Sequence, residues 1–248
     1  MLLVNGCSYT YGDELISPEQ ERWSTHLGEK RNIEVVNIAR PGSSNSKIYR
    51  DTINYLRWNK VKHCIVMWSA FERVEVYDLN KADWLQVSPS RLADGEKYIT
   101  DNKEYWEYYY ALITNRETNL LNTLNHMVQL QWICEELDVE LLQGWFHQNC
   151  WKEYKALLKL ADKKSHPVKK EIEILFKQLN NNSKFGMGDR DVDDFYTLSF
   201  NEFTDNNDDD LLDGMFSCGR MPLGHPDARA HEFFSIYLND ICNTRGLL

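Results

Sequence analysis

The stretch "LLVNGCSYTYG", Leu2 to Gly12, opens the chain with a short apolar run that passes directly into Gly6, Ser8 and Gly12. Three consecutive large aliphatic residues followed by small ones predict a buried strand and then a tight turn. Three later runs repeat the pattern: "EVVNI" (Glu34 to Ile38), "HCIVMW" (His63 to Trp68) and "DVELLQGWF" (Asp138 to Phe146). Between the second and third, Tyr49, Ile53 and Leu56 recur at helical spacing and supply the crossover that a parallel strand pair needs.

Leu121, Leu124, Val128 and Trp132 predict one face of a long helix ahead of the fourth strand. At the end of the chain Asp227 is placed to cap a final helix, with Phe234, Tyr237, Leu238 and Ile241 along one stripe. Strands alternating with helices predict a three-layer α/β/α, flavodoxin-like domain with a mostly parallel sheet. A fifth strand is expected near Met215 to Cys218.

Two stretches break the rhythm and are read as helical insertions in a single domain spanning 1–248. The first, about 77–119, is read as loop and helix and carries "DWLQVSPSRLADGEKY" and "EYWEYYY", whose aromatic residues are expected either to pack on the core, the plainer choice, or to line a substrate cleft. The second, about 148–224, contains an amphipathic helix marked by Val168, Ile172, Leu175, Phe176 and Leu179, then the acidic run "TDNNDDDLLDG". Within that run Asp205, Asn207 and Asp209 alternate as in a calcium loop, but Asp210 stands at the glycine position and Phe216 at the final acidic position. A solvated acidic loop is the expectation there, with no metal and no cofactor.

A formal charge of −10 over 248 residues disfavours nucleic acid and anionic membranes, both of which reward clustered Lys and Arg. No run approaches the roughly 20 apolar residues that span a bilayer. The opening strand leaves no room for a cleavable leader before it, so synthesis in the cytosol is expected. Six cysteines without a CxxC pair read as buried reduced thiols.

Ligands of open parallel sheets sit beyond the carboxyl ends of the strands. Ser8, Gly42 to Asn45, Ser69 to Phe71 and His147 follow the four predicted strands, so they are expected to converge. Two readings of Ser8 stay open on these residues: a nucleophile at the mouth of a pocket, or a turn serine bonding its own backbone. His147 is equally a cleft residue or a structural one. His231, inside the last helix, is read as a packing or solvent histidine.

Three blocks in order resemble the SGNH, or GDSL-type, hydrolase family. "GCSYTYG" is similar to its first block, with Cys7 where Asp is usual; "VNIARPGSSN" (Val36 to Asn45) is similar to the second, through Asn37 and Gly42; "GHPDARAHEFF" (Gly224 to Phe234) is similar to the last, where a His-Pro pair opens the final helix. The resemblance implies Ser8 as nucleophile, His225 as base, and the backbone amides of Ser8 and Gly42 with a side-chain amide as oxyanion hole. It also implies a small-molecule or carbohydrate ester as substrate, an acetyl group on a sugar or cell-envelope polymer being one form.

Two departures stand out. "MWSAFERVE" (Met67 to Glu75) has no Asn where the third block supplies an oxyanion donor, which leaves Ser44 and Asn45 as candidates to replace it. Pro222 stands three residues before His225, where the triad acid is usual; Asp213 and Asp189 are the acids considered in its place. Trp68, Ser69 and Arg73 are expected to wall the pocket, and a Trp, a hydroxyl residue and an Arg in this block are similar to phage-encoded members. The rival expectation is therefore the same fold used without catalysis, as a binding module, homo-oligomer or subunit of a viral particle.

Overall fold

Each apolar run becomes a strand within a residue or two of its expected limits. The computed structural model describes residues 1–79, 82–89, 103–145, 167–180 and 226–247. Its main sheet contains β1 (Leu2–Asn5), β2 (Val35–Asn37), β3 (His63–Trp68) and β6 (Glu140–Trp145), all parallel, in the order β2-β1-β3-β6. Leu2 pairs with Val35 on one side and His63 on the other, and His63 pairs with Glu140, so the four strands start level, while β3 and β6 run on past the ends of β1 and β2.

Alternation along the strands divides the core into two layers. Leu3, Cys64, Val66, Trp68, Leu141 and Trp145 face one way. They pack against α4 (Asn45–Trp58), α6 (Arg116–Glu136) and α7 (Pro167–Asn180). Leu2, Val4, Ile65, Met67 and Leu142 face the other way. There they meet α3 (Trp23–Arg31) and α8 (Ala228–Arg245). Helices on both faces of a parallel sheet are the three-layer α/β/α arrangement.

The final helix follows its sequence closely. Asp227 accepts a hydrogen bond from the Ala230 amide at 2.9 Å, and Phe234 and Leu238 are fully buried. His231 is buried too, its Nδ1 accepting from the Trp23 amide at 3.2 Å, which is a packing role. In helix α6 Leu124 and Val128 are buried as expected and Leu121 packs against the core, but Trp132 is 52% exposed. The buried face is wider than the expected stripe and takes in polar Thr123 and Gln131.

The first insertion also differs. In place of a loop, β4 (Val74–Asp78) and β5 (Asp83–Val87) form an antiparallel ribbon, followed by α5 (Lys103–Tyr108) and a π-helical turn, Tyr109–Ile113. Val74, Leu85 and Val87 pack against Trp106, Tyr109 and Tyr110. The other face carries Glu75 and Gln86 to α4, where Arg50 forms an ion pair with Glu75 and stacks over the Trp84 ring at 4.2 Å. Trp106, Tyr109 and Tyr110 therefore pack, on a satellite core under the ribbon, while Tyr105 and Tyr108 are exposed. The fifth strand near Met215, the acidic run and most of the second insertion lie outside the described residues. Four of the cysteines, Cys7, Cys64, Cys134 and Cys242, are buried free thiols.

Among the described residues no helix is long and apolar enough to cross a membrane.

Two partly enclosed histidines couple this fold to pH. Burial lowers the pKa of His126, which stacks on Tyr49 at 4.6 Å between α4 and α6. Burial also lowers that of His63, outweighing the opposing pull of Glu140 at 2.7 Å. A depressed folded pKa favours the neutral ring, so this stability is present above the ordinary histidine pKa of about 6.5 and is lost as pH falls through the folded value. Urea midpoints are expected to drop between pH 7.5 and pH 5, and to drop less in His126→Phe; an identical slope in the variant would remove His126 from the account.

Candidate functional site

The carboxyl ends of β1, β2 and β3 are tied together by three asparagine carboxamides. Asn5, the last residue of β1, accepts from the Gly6 amide at 2.8 Å and donates to the Ile48 carbonyl and Thr52 hydroxyl of α4, each at 2.9 Å. Asn37, the last residue of β2, donates to the Thr10 carbonyl at 2.8 Å and to Ser24 Oγ at 2.9 Å, and accepts from the Ala39 amide. Asn45, at the start of α4, accepts from the Ser69 amide at 2.7 Å and donates to the Ser69 carbonyl and Thr123 Oγ1, each at 3.0 Å.

Between these clamps β1 turns into α1 (Ser8–Tyr11), a single helical turn that ends on Gly12 in the left-handed conformation. Gly6 makes the turn possible: a Cβ there would lie 2.3 Å from Thr10 Oγ1 and 2.9 Å from the Met67 carbonyl. Only glycine allows the two backbones to come so close. Ser8 follows at the first helical position and is 5% exposed. In the loop after β2, Gly42 has φ 76°, a left-handed turn ahead of α4 that glycine adopts without strain.

The expected residues divide in this frame. Ser8, Gly42 and Ser69 all fall at the same end of the sheet, on the loops after β1, β2 and β3. Trp68 does not wall a cleft. It is fully buried in the core, with its indole N–H donating to Gln143 Oε1 at 2.9 Å. Ser44 is the N-cap of α4: its Oγ accepts from the Lys47 amide at 3.2 Å, and its own amide donates to Gln86 Oε1 of the ribbon at 2.9 Å.

Asn45 also departs from expectation as a replacement oxyanion donor. Both hydrogens of its amide are engaged, so no donor remains for a substrate. Its effect on the site is indirect, through the Ser69 backbone it holds. Arg73 is half-buried after β3, and its amide bonds back to the Ala70 carbonyl at 3.3 Å. His225, His147, Asp189 and Asp213 lie outside the described residues.

Residue reasoning missed the clamps and the ribbon's part in the site. Gln86 and Glu75, joined at 3.1 Å, bring β4 and β5 to the Ser44 amide, two residues beyond Gly42. The period-two alternation of Val74, Val76, Leu85 and Val87 was the signal available for the ribbon. The carboxamide bonds join residues up to 78 positions apart and leave no local pattern.

No family model and no curated protein sequence matches the chain. Solved structures do. A lipolytic protein of the G-D-S-L family from Desulfitobacterium hafniense DCB-2 superposes with a TM-score of 0.50 at 12% identity, over 97% of this chain and 98% of its own. TesA superposes with a TM-score of 0.50 at 10% identity, over 98% of both chains. A carbohydrate esterase family 2 enzyme with a carbohydrate binding domain, from Corynascus thermopiles (Myceliophthora fergusii), gives 0.51 at 9% identity, over 99% of this chain and 66% of that one. The chain has the fold of the GDSL-type hydrolases.

Replacing Asn45 by Ala strands the buried Ser69 amide and carbonyl together. At roughly 1–3 kcal/mol for each unsatisfied buried group, a loss of about 2–4 kcal/mol is expected in urea denaturation. A loss below about 1 kcal/mol would mean that the clamp is dispensable.

Proposed function

We propose that this chain is a serine hydrolase that cleaves acyl esters, with an acetyl group carried on a carbohydrate or cell-envelope polymer as its substrate class. The observation that carries the reading is the position of Ser8. It stands three residues beyond the end of the buried strand β1, at the first position of α1, after a close turn at Gly6 and with the left-handed Gly42 in the loop that follows the neighbouring strand. The fold shared with lipolytic and carbohydrate esterase structures supports it.

In this reading His225 takes the Ser8 proton as Oγ forms a bond to the ester carbonyl carbon. The carbonyl π pair moves onto oxygen, where the backbone amides of Ser8 and Gly42 stabilise it. Collapse of the intermediate breaks the bond to the alcohol, which leaves with the proton held by His225. Water then attacks the acyl-serine by the same route, releasing the acid and restoring Ser8.

The absence of an Asn in "SAFER" and the full engagement of the Asn45 amide favour a second reading, in which the fold serves as a non-catalytic binding or particle subunit. A fluorophosphonate probe separates the two. Covalent labelling of the wild-type chain that disappears in Ser8→Ala, with hydrolysis of 4-nitrophenyl acetate reduced at least 1000-fold, is the expected result. Wild-type protein that stays unlabelled between pH 6 and pH 9 would sink the hydrolase reading in favour of the second.

A further inference from the structure

Among the described strands, β2 forms one edge of the main sheet. The Leu2 amide donates to the Glu34 carbonyl at 2.8 Å, and the Ile38 amide donates to the Val4 carbonyl at 2.9 Å. Peptide groups alternate in direction along a strand, so Glu34, Val36 and Ile38 turn theirs toward β1 while Val35 and Asn37 turn theirs outward. Among the described residues no group bonds the outward amide or carbonyl of Val35 or Asn37. All three residues of β2 are accordingly half-buried, whereas β1 and β3 are buried throughout.

The open edge lies in a groove of about 710 Å³ walled by α2 (Pro18–Glu21) and α3. Gly28 brings α3 down onto the strand, since a Cβ there would lie 2.4 Å from Val35 Cγ2. The charged lining of the groove is Glu19, Glu29 and Glu34 against Arg22, an excess of carboxylates. Glu29 holds its side chain 71% exposed. Sheet edges are commonly guarded by charge, so that strands of other chains do not add to them. A guard dominated by one sign repels a second copy, which would bring its own carboxylates to the seam, and attracts a strand of the opposite sign.

We propose that the outer edge of β2 is a docking site for an extended basic segment of a partner protein, added as an antiparallel strand, the more stable of the two directions. The inference goes beyond the hydrolase reading and does not depend on it. Val35 and Asn37 each exchange an N–H and a C=O with one residue of the incoming strand, and those two residues are separated by one other. Directly paired residues share a face of the sheet, and Val35 faces α3. The bonded residues of the partner therefore project toward Glu19 and Glu29, and these are the positions that take Lys or Arg. The residue between them lies on the opposite face with Val36 and Ile38, where Ile38 packs on the core, and is apolar.

Titration of the isotope-labelled chain with a short capped peptide that alternates Val and Lys tests this by amide NMR. The expected result is saturable shifts of the Val35 and Asn37 amides, with binding at least about tenfold weaker for the peptide carrying Glu in place of Lys. Glu29→Lys, a change at an exposed side chain, is expected to narrow that ratio. N-methylation of the peptide at its Lys residues is expected to abolish binding, while N-methylation at its Val residues leaves it within about twofold, because only the first set of N–H groups points at β2. Unmoved Val35 and Asn37 amides, equal affinity for the Glu peptide, or indifference to N-methylation at Lys each overturns the proposal. A chain that sediments as a dimer without peptide, with both amides already protected from exchange, assigns the edge to a second copy and overturns it as well. None of these readouts involves Ser8, so their failure leaves the hydrolase reading standing.

Discussion

The carboxyl end of this sheet depends on asparagine side chains standing in for backbone. Where a strand leaves its ladder, its next amide and carbonyl lose their partners, and burial makes that loss costly. Asn5, Asn37 and Asn45 each accept from one backbone amide and donate to one backbone carbonyl and one side-chain hydroxyl, at 2.7 to 3.0 Å. A carboxamide is suited to this because it carries both halves of a peptide group on a short stem. The loops that hold Ser8, Gly42 and Ser69 are consequently fixed relative to one another before any ligand arrives.

That rigidity links the architecture to the chemistry proposed for it. Stabilising a developing oxyanion needs donors that are already oriented in a dry environment. Gly6 and Gly42 let the backbones come close and turn, and the asparagines keep them from relaxing. The β4 and β5 ribbon adds an outer brace. Gln86 reaches the Ser44 amide while Glu75 and Trp84 grip Arg50, so the first insertion is joined to the N-terminal half of α4, just beyond the Gly42 turn.

The parts of the fold that were legible share one physical origin. Buried parallel strands are short apolar runs, and "LLV", "EVVNI", "HCIVMW" and "ELLQGW" are such runs, so their positions could be read directly. The final helix was legible through Asp227 and the Phe234 to Leu238 spacing. Reading failed where a polar residue is buried or a large apolar one is exposed. Trp132 is exposed although it continues the stripe of Leu124 and Val128, while polar Thr123 and Gln131 are buried beside them. In the ribbon, alternation was present, but Glu75 and Gln86 at its inward positions masked it, since they are used against α4 rather than solvent.

By itself the sequence determined the βαβ order, the strand ends at which a site can form, and the serine and glycines that stand there, because those follow from hydrophobic runs and from residues with special backbone freedom. Tertiary structure alone decided what each polar side chain does at that end. It engaged Asn45 in holding Ser69 and drew Trp68 into the core with Gln143. The reason is that a hydrogen bond is satisfied by whatever group lies within about 3 Å in space, and the partners of these side chains come from distant parts of the chain that only folding brings together.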